Sequence, residues 1–197
     1  MNPRASITRL TLVLGGVRSG KSAFTEGLVK SLDATNPNFP VTYLATGLAT
    51  DAEMEQRILI HRRRRPSHWV TQEESLDLAA GLRVSFDLPA RPWAVIIDSI
   101  DVWVANMLME HEEEDKARLE SKTLEALDEV LNVTRCSAAV YMVSTEVGLS
   151  LVPPEPLGRR FQDLLGLVNQ RIAAVAGTVY LVVAGVPLTI KDAPDFD

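Results

Sequence analysis

The chain has 197 residues, 46% of them hydrophobic and 23% charged, with a net charge of −6. That length suits one soluble α/β domain with a sizeable core rather than two domains. The acidic balance speaks against a general nucleic-acid binder, and the apolar runs are too short to span a bilayer. Cys136 is the only cysteine, which leaves no intramolecular disulfide and no Cys-rich metal site. Lying just before the apolar run 138–143, it reads as a buried thiol. The first apolar run leads into a glycine-rich loop instead of a small-residue cleavage site, so the expected compartment is the cytoplasm.

In chain order, a strand is expected over 10–14, followed by Gly15-Gly16-Val17-Arg18-Ser19-Gly20-Lys21-Ser22 and a helix over 23–32. The octapeptide matches G-x-x-x-x-G-K-[ST] at every position, in the strand-to-helix setting that a phosphate-binding loop requires. Gly15 and Gly20 permit backbone conformations that turn successive N–H groups around an anion, and the helix start adds its positive end. Lys21 is expected to reach the β- and γ-phosphates, and Ser22 to offer its hydroxyl to Mg²⁺. A Gly-rich turn can be only a tight connection. The complete motif in this setting reads as a nucleoside triphosphate site.

Further on, the pattern predicts a strand over 41–45 and a helix over 51–64 that opens with Thr50-x-x-Glu53 and stops before Pro66. A short strand over 68–71 and a helix over 76–84 follow. Next come a strand over 93–98, helices over 100–110 and 116–133, and a strand over 138–143. A helix over 157–176, a strand over 179–184 and a short extended tail reaching Lys191 complete the chain. Such βαβ alternation predicts a mainly parallel sheet with helices on both faces, a three-layer P-loop NTPase fold of RecA-like type. Pro153, Pro154 and Pro156 read as rigid punctuation within that domain.

Asp98 ends the apolar stretch Val95-Ile96-Ile97, where a carboxylate beside a phosphate loop holds Mg²⁺ or its water shell; a helix cap is the bland alternative. The run His61-Arg62-Arg63-Arg64-Arg65 concentrates cations in an acidic chain and reads as an anion site, since Arg forks match phosphate oxygens in pairs. His61 shares a helical face with Met54 and Ile58, so spacing alone equally allows a half-buried packing histidine. His68 beside Trp69 reads as a packing residue, and His111 as part of a solvated acidic turn. Trp103 and Met107 form a stripe of core or subunit-contact type. Arg159 and Arg160 are left between substrate phosphate and pairing with Asp163, and Glu146 and Asn169 receive no role.

The phosphate loop together with YLATG at 43–47, DAEMEQRI at 51–58, His61, Arg65-Pro66 and HW at 68–69 resembles the bifunctional adenosylcobinamide kinase/adenosylcobinamide-phosphate guanylyltransferase family. Segments 96–108, 144–153, 159–174 and 180–188 also look like it, so the resemblance runs from about Leu12 to Lys191. It implies phosphorylation of adenosylcobinamide by ATP or GTP, then transfer of GMP from GTP through a histidine, which here matches His61. Arg62, Arg63, Arg64 and Arg65 are then placed to neutralise phosphate charge, although adjacent residues on a helix point about 100° apart and not all four need touch it; the family pattern further implies that Ala45, Thr46, Gly47, Glu73 and Asp98 contact the nucleotide or its Mg²⁺. A homotrimer is implied as well. Asp98 stands where some relatives carry Glu, which keeps the charge and shortens its reach, and Asp101, Thr145 and Gly177 replace a more usual Thr, Asn and Asp, departures that bear on secondary contacts. A monofunctional kinase would need no His61, a GTPase switch lacks its N-K-x-D motif here, and a nucleotide-binding regulator would turn nothing over.

Overall fold

The computed structural model describes residues 10–35, 39–48, 56, 62, 65–135 and 138–192. The elements are β1 (Leu10–Gly15), α1 (Lys21–Thr35), β2 (Val41–Ala45), β3 (Val70–Glu73), α2 (Leu78–Phe86), β4 (Ala94–Asp98), α3 (Ile100–Glu110), α4 (Lys116–Val133), β5 (Ala139–Thr145), α5 (Pro156–Val175), β6 (Thr178–Val183) and β7 (Val186–Asp192). Apart from residues 56 and 62, the helix expected over 51–64, with His61 in it, lies outside the described residues, as does Cys136.

The strands form one seven-stranded sheet in the order β3-β2-β4-β5-β1-β6-β7, parallel throughout except for β7, which pairs antiparallel with β6. β5 separates the phosphate-loop strand from the strand that ends in Asp98, as in a RecA-like P-loop fold. Alternation of side chains across the strands makes two cores. Val95 and Ile97 of β4 and Val140 and Met142 of β5 face the larger one, closed by α2 through α5. Ala94, Ile96, Val143 and Tyr43 face the smaller one, where α1 contributes Val29. Caps set two helix starts: Asp77 Oδ1 accepts from the Ala80 N–H at 2.9 Å, and Asp115 Oδ1 accepts from the Arg118 N–H at 2.9 Å.

Three expectations are corrected. β3 occupies Val70–Glu73 and not 68–71, because its ladder partner is Thr42–Ala45. Trp69 is instead buried in the smaller core, its N–H donating to the Pro66 carbonyl at 3.1 Å. Its apolar character therefore marks a plug and not a strand. The helix expected over 76–84 begins at Leu78, after the Asp77 cap. The tail is a full antiparallel strand: Ala184 and Gly185, with φ of 51° and 83°, make the two-residue turn that joins it to β6.

The Trp103 and Met107 stripe belongs to the core, with Trp103 fully buried and its Nε1 donating to the Leu76 carbonyl at 2.8 Å. Trp103→Phe keeps an aromatic ring but strands that carbonyl and leaves a void. The expected loss of unfolding free energy is about 2–4 kcal/mol in urea denaturation.

Candidate nucleotide site at the carboxyl edge of the sheet

β1 delivers the chain to the phosphate loop with no space to spare. A Cβ at Gly15 would lie 2.4 Å from Ser19 Oγ and 2.6 Å from the Val182 carbonyl oxygen, so only glycine fits between the loop and β6. The Ser19 N–H closes on the Gly16 carbonyl at 3.2 Å, while Arg18 and Gly20 take left-handed φ of 56° and 93°. A non-glycine residue in that region is costly, so the surrounding structure must hold it. Two neighbours do so from outside the loop. The Gly185 N–H donates to the Ser19 carbonyl at 2.8 Å, and the Glu146 N–H donates to the Gly15 carbonyl at 3.2 Å.

The loop borders a cavity of about 600 Å³ whose lining draws on the carboxyl ends of β2, β3, β4 and β5 as well. Parallel α/β sheets place their ligands at this edge, because the loops leaving the strands converge there. Gly20, Lys21, Ser22 and Ala23 face the cavity at the start of α1, where helix N–H groups lack intrahelical acceptors. Lys21 Nζ rests 3.4 Å from the Gly16 carbonyl. Val17, Arg18, Ser19, Ala45, Gly47, Arg62, Arg65, Glu73 and Asp98 also line it. The ends of the basic run thus share one space with the phosphate loop, Arg62 Nη1 lying 3.8 Å from Glu73 Oε1. Arg63, Arg64 and His61 lie outside the described residues.

Thr46 is placed differently from its neighbours. It is fully buried, its Oγ1 donating to the Ser99 carbonyl and accepting from the Ser99 N–H, each at 2.8 Å. Its own carbonyl accepts from Asn106 Nδ2 at 3.0 Å. The side chain therefore pins the turn after Asp98 to the end of β2. Gly16 does not line the cavity; its carbonyl serves the turn inside the loop.

Sequence reasoning passed over Tyr43. Its ring lies 3.3 Å beneath the Arg65 guanidinium carbon, and its hydroxyl donates a short hydrogen bond to Asp98 Oδ2. Arg65 also donates from Nη1 to Thr71 Oγ1 at 3.2 Å. One buried phenol thus joins the basic run to the strand-end carboxylate. Burial first, and the Asp98 charge second, push the Tyr43 pKa well above its ordinary 10.0, so the hydroxyl stays a donor to higher pH than a free phenol does. The available signal was position: an aromatic with a polar tip two residues before Ala45, at the carboxyl end of a buried strand.

Two departures from the family pattern meet in the cavity wall, Thr145 Oγ1 donating to Asp101 Oδ2 at 2.8 Å. Asn169 holds the strand beneath them, accepting from Ser144 Oγ at 2.6 Å and donating to the Thr145 carbonyl at 3.0 Å. Arg159 donates to the Pro153 and Pro154 carbonyls and Arg160 to the Glu114 carbonyl, whereas Asp163 pairs with Lys116 at 2.7 Å. His68 is exposed on the turn before β3. His111 caps α3, and its Nδ1 lies 3.7 Å from Glu114, which also pairs with Lys122 and Arg118.

Tyr43→Phe retains the ring under Arg65 and removes the donor to Asp98. Affinity for Mg²⁺·GTP, read by titration calorimetry, is expected to fall about tenfold, or about 1.4 kcal/mol. Because the folded-state pKa is raised, the neutral phenol's contribution to stability is complete below the ordinary value of 10.0 and is lost as pH rises through the higher folded value. The variant is therefore expected to show a shallower loss of stability in urea denaturation between about pH 9 and 11.

The profile described as "Cobinamide kinase / cobinamide phosphate guanyltransferase" matches residues 11–190. A protein of Pseudomonas aeruginosa named bifunctional adenosylcobalamin biosynthesis protein CobP is 39% identical over 183 residues, covering 93% of this chain and 98% of its own length. The Salmonella typhimurium protein named bifunctional adenosylcobalamin biosynthesis protein CobU is 38% identical over 195 residues, covering 92% of this chain and 99% of its own. Among solved structures, the flagellar accessory protein FlaH of Methanocaldococcus jannaschii superposes with a TM-score of 0.49 at 16% identity, over 94% of this chain and 79% of that one. With its phosphate loop, strand-end carboxylate and basic residues gathered at one cavity, and with near full-length likeness to these relatives, the chain belongs to the cobinamide kinase/cobinamide phosphate guanyltransferase family.

Proposed function

We propose that this chain performs two successive transfers at one cavity, the second through His61. In the first, the terminal hydroxyl oxygen of adenosylcobinamide attacks the γ-phosphorus of ATP or GTP. The bond from that phosphorus to the β,γ-bridging oxygen breaks, the hydroxyl proton is released, and a nucleoside diphosphate leaves. In the second, a neutral imidazole nitrogen of His61 attacks the α-phosphorus of GTP and pyrophosphate leaves. The phosphate of adenosylcobinamide phosphate then attacks that phosphorus, the N–P bond breaks, and adenosylcobinamide-GDP is formed with the imidazole regenerated. Histidine suits the step because its neutral nitrogen is nucleophilic near physiological pH without prior deprotonation.

The observation that carries this reading is that Arg62 and Arg65 line the same cavity as Lys21 and Ser22. Arg18, Lys21, Arg62 and Arg65 there supply charge where phosphate charge shifts, and Glu73, Asp98 and Asp101 keep the site from being purely cationic. Ser22 and Asp98 both line this cavity and offer hard oxygen donors, a donor type that fits Mg²⁺ with the remaining positions left to phosphate and water. When bound there, Mg²⁺ supplies charge neutralisation on the triphosphate. Among the described residues no helix is long and apolar enough to cross a membrane. The form proposed is a homotrimer, as the family resemblance implies, placed in the cytoplasm, as the lack of a cleavage-site pattern after the first apolar run suggests.

Incubation with GTP labelled at the α-phosphate, followed by intact mass and peptide mapping, tests chemistry and site together. The wild type is expected to gain GMP on the peptide holding His61, with the adduct acid-labile. His61→Ala is expected to lose the adduct and the guanylyl product while retaining phosphorylation of adenosylcobinamide at least in part. Lys21→Ala is expected to lose both transfers, with barriers raised by about 3 kcal/mol or more. Label on His68 or His111 in the His61 variant contradicts the proposed nucleophile. A wild type that never labels during turnover favours a kinase alone.

A further inference from the structure

Residues 147–154, Val-Gly-Leu-Ser-Leu-Val-Pro-Pro, carry no charged side chain in a chain that is 23% charged. They leave Leu149, Leu151 and Val152 at 84%, 93% and 72% exposure. The backbone beneath them is firmly held. The Gly148 N–H donates to Glu146 Oε1 at 2.6 Å, Gln162 Nε2 to the Val147 carbonyl at 2.6 Å, and Arg159 Nη1 to the Pro153 carbonyl at 3.0 Å. Pro153 also closes on α5, where a Cβ at Gly158 would come within 2.8 Å of it. Polar groups are thus spent inside the loop and on α5, and aliphatic ones are presented to solvent. That is the reverse of an ordinary surface loop and the mark of a surface meant to be covered.

The base of this loop belongs to the nucleotide site. Thr145 lines the cavity, and the next residue, Glu146, is bonded through its N–H to the Gly15 carbonyl at 3.2 Å. At no more than about 3.6 Å per residue, Leu149 lies within about 11 Å of Glu146. Val17, at the crest of the phosphate loop, adds another aliphatic side chain at 85% exposure. A cavity of about 600 Å³ holds a nucleotide. A corrinoid is larger, so while its terminal hydroxyl enters the cavity the macrocycle must rest on the rim.

We propose that the 147–152 loop is the corrinoid platform. Leu149, Leu151 and Val152 receive the methyl-fringed face of the macrocycle, and the aminopropanol arm reaches past Thr145 toward the phosphate loop. Because these side chains are solvent-exposed, Leu149→Ser with Leu151→Ser leaves the core intact, which thermal melting verifies. This inference rests on the cobinamide reading, and the experiment separates the two. With the full-length wild type and the double variant, one measures the KM for adenosylcobinamide in the kinase reaction, the Kd for GTP, and the mass by light scattering. The platform predicts a rise of about tenfold or more in the adenosylcobinamide KM, with the Kd for GTP within about twofold and the mass unchanged. An unchanged KM overturns it. So does a change of mass, which assigns the loop to contact between copies of the chain. A wild type that fails to phosphorylate adenosylcobinamide overturns the cobinamide reading itself, whereas an active wild type with an indifferent variant overturns only the platform.

Discussion

The site is organised by the absence of room at residue 15. β1 runs between β5 and β6, and its last residue sits so close to the Val182 carbonyl and to Ser19 that a methyl group would collide with both. The phosphate loop therefore begins inside the sheet, with its path fixed by strands on either side. Its remaining freedom is taken up by two hydrogen bonds from outside, Gly185 to Ser19 and Glu146 to Gly15. Each comes from the end of a strand flanking β1. The sheet thereby holds Arg18 and Gly20 in their left-handed conformations, and that conformational cost is met on folding.

From that fixed point the other groups fall into place by strand order. β4 lies two strands from β1, about 10 Å across the sheet, and Thr145 ends the strand between them, so Asp98 and the phosphate loop border the same cavity. Tyr43 then ties Asp98 to Arg65, and Arg65 begins the return to β3. This link makes the basic run and the strand-end carboxylate parts of one charged cluster. Changes to the basic run are felt at Asp98 through a side chain that touches both.

Much of this was legible in the residues. The loop motif, Asp98 and the βαβ alternation depend on local patterns, and each stands where those patterns put it. What the pattern could not show depends on neighbours distant in sequence. β3 is a polar edge strand, placed by pairing with β2 and not by hydropathy, so the apolar Trp69 drew the expectation two residues early. β7 is exposed along its whole length, leaving no alternation to read, and its Ala184-Gly185 turn lacks the usual Asn-Gly signal. Tyr43 drew no reading of its own, because its partner Asp98 lies 55 residues away in the chain. Thr46, one of three adjacent residues expected at the nucleotide, is turned inward to hold Ser99. Asp101 and Thr145 looked like separate departures and are one hydrogen-bonded pair.

The central claim, that the sheet presets the phosphate loop, is tested most directly by amide hydrogen exchange in the nucleotide-free protein. The Gly185 and Glu146 N–H groups, bonded to the Ser19 and Gly15 carbonyls, are predicted to be protected to the degree of the central amides of β1, with little further change when GTP is added. Exchange of these two amides at rates near those of an unstructured chain, with protection acquired only on nucleotide binding, would contradict it.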